Sequence, residues 1–208
     1  MEKVENNGVQ YGKPFPKLVL SHFFDVVVAG LVGGIFMASI GSAVDHVAYQ
    51  VFMQIISMII FIAMIYSAMW HDGDRDRNLV DFHHIEKDML KGLKVGLIAM
   101  IPAMLTSILL VLSAAGVVKP IPDLGLNVAE LIYRIINFYA IHIINAIIPP
   151  ESAPTWGGIV LVTLIPLIIP LANGIAYVLG YNRIALISRL VYKGKDKKSA
   201  KIHLNGKK

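Results

Sequence analysis

Long runs of apolar residues, broken by short polar and charged segments, set the period of this chain. Stretches such as "VVVAGLVGGIFMASI" and "IIFIAMIYSAM" are free of charged side chains. About 20 apolar residues in a helix match the hydrocarbon thickness of a bilayer. The pattern predicts four spanning helices, at roughly 20–41, 47–70, 95–118 and 157–180. A buried soluble core would need polar faces on these helices, and most have none. The expected class is an all-α integral membrane protein forming a single membrane domain.

A fifth apolar segment, 128–148, is ambiguous. It contains Glu130, Arg134, Asn137, His142 and Asn145 among eight isoleucines. An ionised group near the bilayer centre costs about 2.5–3.5 kcal/mol, against roughly −0.3 to −0.6 for each large aliphatic side chain. The insertion balance is therefore close to zero. At helical pitch Glu130, Arg134, Asn137 and Asn145 fall within about 80° of one another, a narrow polar stripe. Glu130 and Arg134 stand at i,i+4 in the favourable order. The segment is expected to be an amphipathic or re-entrant helix on the outer face, with five spans as the alternative. Pro120 and Pro122 precede it, Pro149, Pro150 and Pro154 follow it, and Trp156 opens the last span as an interfacial anchor.

Charge placement orients these spans. Lys and Arg in short loops mark the cytoplasmic side. With four spans, the N-terminus, the loop 71–94 and the C-terminal stretch from Arg183 through the tail 193–208 share one side and hold 17 of the 19 basic residues. Only Lys119 and Arg134 lie opposite. The expected localisation is the cell membrane, multi-pass, with both termini cytoplasmic. No removable signal peptide is visible, so the first span would also direct insertion.

Composition supports this picture: the chain is 56% hydrophobic with 16% charged residues and a mean hydropathy of +0.65. With no cysteine, disulfides and thiolate chemistry are excluded. Seven lysines follow Tyr192. Near an anionic leaflet each contributes about 1 kcal/mol of attraction, so the tail is expected to meet anionic lipid. Nucleic acid is not expected as a partner, because no aromatic residue follows Tyr192 for bases to stack on.

The stretch most suggestive of chemistry is "HDGDRDRNLVDFHH", residues 71–84. Asp72, Asp74 and Asp76 alternate like the first ligands of a calcium loop. The glycine and glutamate that motif needs later are replaced by Arg77 and His83. His83 and His84 are adjacent and cannot share a helix face, while His84 and Asp88 supply only two zinc ligands. Neither a metal site nor a catalytic set is expected, and no cofactor is implied. The stretch is expected to be a solvated turn, with Asn78 capping a helix that starts near residue 79 and carries an apolar stripe of Leu79, Phe82, Met89, Leu90 and Leu93.

Small residues at Gly30, Gly34, Ala38 and Ser42 recur every four positions in the first span, a face suited to close helix packing. At the start of that span His22 and Asp25 lie at i,i+3, where they are expected to pair or to be hydrated near the interface. Gln50, Gln54 and Ser57 form a polar stripe in the second span, expected to bond to the outer helix. Pro166 and Pro170 break the fourth span ahead of Asn173 and free backbone carbonyls. The leading functional expectation is a non-catalytic subunit or scaffold of a larger membrane assembly, with a membrane protein partner or a homo-oligomer. The alternative is a small transporter, or its substrate-binding subunit, with Gln50, Gln54, Glu130, Arg134, Asn137 and Asn173 lining a cavity.

Overall fold

The computed structural model describes residues 12–41, 46–117, 127–150 and 154–184, and every regular element among them is helical. Helix α1 spans Phe15–Phe36 and runs on into a π-helical turn, Met37–Gly41. Pro14 and Pro16 stand at its start, where missing N–H groups cost nothing. Helix α2 spans Val47–Asp81. It is followed by α3 (Lys91–Ala99) and α4 (Ile101–Ala114), then by the short α5 (Val128–Ile136) and α6 (Ile141–Ile147). Helices α7 (Trp156–Thr163) and α8 (Ile168–Tyr181) complete the described part. Three helical stretches are long and apolar enough to cross a membrane: 15–40, 47–81 and 156–181. The α3–α4 pair makes a fourth if it is counted as one.

Three expectations need correction. Residues 71–81 are not a solvated turn, because α2 continues through them and Asn78 lies inside that helix. The alternating acids and bases sustain the helix by pairing along it, as Arg77 does with Asp81 at 2.9 Å. Termination falls instead to a Schellman motif. His83 takes φ 58°, its N–H bonds to Val80 O, and the N–H of His84 bonds to Leu79 O. The residues assigned to one apolar stripe, Leu79 to Leu93, are therefore divided between α2, the turn after it and α3.

The segment 95–118 is not one straight span. Helices α3 and α4 meet at Met100 with a bend of 48°. Pro102 cannot donate to the carbonyl of Ile98, and the Met100 N–H turns to that carbonyl as well as to Gly96 O. Gly116, at φ 76°, closes α4.

The segment 128–148 is not a single helix either. A one-turn 3-10 helix, Phe138–Ala140, separates α5 from α6. Arg134 reaches the Asn145 side chain and also the Ile148 carbonyl, the latter at 2.8 Å. In a straight helix those partners would lie roughly 16 and 21 Å along the axis. The chain therefore folds back on itself, and Arg134 ties its two arms together.

This V-shaped element is part of the core. Tyr133, Tyr139, Ile144 and Ile148 are buried, and Tyr139 stacks flat on Phe61 of α2 with ring centroids 3.9 Å apart. The V is wedged against the glycine face of α1. A Cβ at Gly34 would collide with the Phe138 ring, and one at Gly33 would sit 3.0 Å from Ser57 Oγ. Gly30 faces the Tyr139 ring. Ala38, in contrast, is exposed, and Ser42 lies outside the described residues.

Helix α8 is the other centre of packing, held between α2 and α3. Glycines allow it: a Cβ at Gly180 would strike the Trp70 carbonyl, and one at Gly73 the Tyr177 carbonyl. Gly92 and Gly96 of α3 lie as closely against Tyr177, Pro170 and Asn173. Leu18, Met69, Val95, Ala176 and Tyr177 form the apolar cluster at this end.

Candidate functional site

Two groups of buried polar side chains lie in this bundle. The first surrounds the V. Gln54 donates to the Tyr139 carbonyl at 2.8 Å and accepts from the His142 N–H at 3.0 Å. Ser57 donates to Gly33 O at 2.9 Å. Glu130 pairs with Arg134, and Asn137 is fully buried with its amide on the Tyr133 carbonyl at 3.1 Å. Tyr133 donates its hydroxyl to Val162 O. That carbonyl lies four residues before Pro166, which has no N–H to offer it. The carbonyl freed by the broken helix therefore finds its partner on α5. Gln50 lies one turn before Gln54, half-buried.

The second group forms a seam between the start of α1, the end of α2, α3 and α8. Asp72 and Asp76 share one face of α2 at i,i+4, and both are buried. Lys13 reaches Asp72 at 3.1 Å, and Arg75 reaches it at 2.9 Å. Lys91, the first residue of α3, binds Asp76 at 2.5 Å, and the Tyr177 hydroxyl donates to the same oxygen at 3.0 Å. The other Asp76 oxygen, Oδ1, has no hydrogen-bond partner among the described residues, and the Arg75 guanidinium lies 3.8 Å from it. One turn up α8 from Tyr177, Asn173 meets His22 of α1, with Nε2 and Oδ1 2.6 Å apart. His22 Nδ1 faces the Asp25 carboxylate at 3.5 Å. Asp74 points outward to Arg183 at 3.5 Å. In the turn beyond α2, Lys94 and then the Leu90 N–H hold the Asp88 carboxyl below the usual carboxylate range.

The residues proposed to line one cavity are thus divided. Gln54, Glu130, Arg134 and Asn137 belong to the V and its contacts, whereas Asn173 belongs to the seam. Asp72, Asp74 and Asp76 do not converge on one point: two turn inward to cations and one turns outward. No group of three metal-ligating side chains occurs among the described residues. The pairing of His22 and Asp25 is present, with Asn173 as an addition.

Sequence reasoning missed the seam because it read the aspartates as alternating along a turn. The i,i+4 spacing of Asp72 and Asp76, and of Gly92 and Gly96, was the available signal for a packed helix face. Nothing local could have joined His22 to Asn173, 151 residues apart. No known protein family, curated protein or solved structure matches the chain.

Proposed function

We propose that the chain is a multi-pass membrane protein with four spans, formed by α1, α2, the bent α3–α4 pair and α7–α8. The α5–α6 V enters and leaves on the side opposite the basic loop and tail. Its role is that of a non-catalytic subunit of a larger membrane assembly. The observation that carries this reading is the inverted polarity of the fold. Charged and amide groups turn inward onto one another, while Leu20, Ile35, Ile59, Leu105, Leu171 and Ile175 are exposed around the outside. Apolar surface of that extent drives association in water and is an ordinary surface in lipid. The polar groups suited to lining a substrate path are already engaged by the V, which favours a structural part over a conduit.

A specific feature favours transport as a second reading. Three helix breaks, at Met100, Phe138–Ala140 and Ile165–Leu167, lie near a cleft of about 190 Å³ lined by Gly30, Ala99, Pro102, Asn137, Phe138 and Ile169. Discontinuous helices are common at transporter sites.

Two measurements test the proposal. Single cysteines at Asn7, Glu86, Asp123, Ser152 and Ser199 are probed with an impermeant thiol reagent. Positions 123 and 152 should label in intact cells, and the other three only after permeabilisation. Labelling of 123 and 152 from opposite sides would establish a fifth span and overturn the topology. Photo-crosslinkers at Leu31, Ile59, Leu105 and Leu171 should give a protein adduct of discrete mass from one face of the bundle. Adducts to lipid alone from all four would overturn the subunit role.

A further inference from the structure

We infer that His22, Asp25 and Asn173 form a buried proton-exchange site joining α1 to α8. His22 is 1% exposed and Asn173 is fully buried. The histidine ring is hydrogen-bonded at Nε2 by Asn173 Oδ1, while its Nδ1 makes no hydrogen bond among the described residues and faces Asp25 Oδ2 at 3.5 Å, so the neighbour at each nitrogen is an oxygen. Two acceptors suit an imidazolium, which donates from both nitrogens. They do not suit a neutral ring, which must turn one bare lone pair toward an oxygen.

The same residues supply a second satisfied state. Asn173 Nδ2 has no hydrogen-bond partner among the described residues. A half-turn of that carboxamide presents an N–H to the unprotonated Nε2, while Nδ1–H goes to Asp25. The two states differ by one proton on the imidazole and one rotation of an amide. Charge argues for exchange as well. With the proton bound, His22 and Asp25 form a neutral pair; without it, a lone carboxylate remains within an apolar helix. The charged and titratable groups nearest His22 from its neighbours are Asp72 of α2, itself paired to Lys13 and Arg75, and on α8 Tyr177, one turn from Asn173. Asp25 is the more accessible of the pair, its side chain 43% exposed while that of His22 is closed off.

This inference stands whether the chain is a subunit or a transporter. The test is ¹⁵N-imidazole NMR of the full chain in lipid nanodiscs. Replacing the other six histidines by glutamine leaves His22 as the single reporter, with no change to the site itself. The expected result is that the His22 imidazole changes protonation state as pH is varied, with the proton moving onto a ring that keeps both neighbours. Asp25→Asn should lower its proton affinity roughly tenfold or more, the usual effect of removing an adjacent carboxylate. Asn173→Leu should abolish the two-state exchange, because no rotating amide remains. A His22 signal locked in one protonation state from pH 5 to 9 would overturn the inference. So would a midpoint unmoved by Asp25→Asn.

Discussion

The Tyr133 hydroxyl of α5 bonds to the carbonyl of Val162 in α7, the acceptor that Pro166 leaves without a helical donor. One side chain thereby joins the folded-back segment to the broken helix and resolves the backbone defect of one with the polar tip of the other. In an apolar surrounding an unpaired carbonyl is costly, so neither feature is independent of its partner.

This linkage predicts a non-additive mutant pair. Tyr133→Phe should destabilise the protein by about 1–3 kcal/mol, the cost of an unmet buried polar group. In a Pro166→Ala background the restored N–H takes the carbonyl, and Tyr133→Phe should then cost markedly less. Thermal unfolding of the four proteins in one detergent measures the coupling. Equal costs in both backgrounds would mean that the hydroxyl does not serve this carbonyl.

The seam predicts an asymmetric response to charge removal. Asp76→Asn leaves Lys91 facing a neutral amide with Asp76's face of α2 still buried, and should cost about 3–5 kcal/mol. Removing both charges, as in Asp76→Asn with Lys91→Met, should recover a substantial part of that loss. Asp74→Asn, at an outward residue, should change stability by less than about 1 kcal/mol. Three aspartates with equal effects would argue against a buried seam.

The glycine face predicts a steric lesion with a specific remedy. Gly34→Ala should destabilise, because its Cβ meets the Phe138 ring rather than a mobile side-chain end. Trimming the obstacle with Phe138→Ala should make the same substitution tolerable. Retention of the monodisperse folded species during size-exclusion chromatography, together with melting temperature, reads both. A lesion untouched by Phe138→Ala would place the clash elsewhere.

What the sequence determined by itself was the helical class of the chain and the places of its long apolar runs. Apolar runs of spanning length are local facts, and they become helices because only helices satisfy their own backbone without water. The prolines at 149 and 150 bounded α6 in the same local way. Spacing placed Gly30 and Gly34 on one side of α1 for the same reason, since helix pitch fixes it, although Ala38 of the same series is exposed.

Tertiary structure alone decided the rest. Local pairs such as Arg77–Asp81 support "HDGDRDR" as helix, but burying its aspartates depends on Lys13, Lys91 and Tyr177, which arrive from elsewhere in the chain to neutralise or bond them. The fold-back of residues 128–148 depends on Arg134 reaching Ile148 O and on Tyr139 finding Phe61. His22 meets a buried amide only because α8 brings Asn173 against it. Local spacing states which groups are available along a helix, but a buried charge or amide is stable only with its partner in place, and that partner is set by packing between helices distant in sequence.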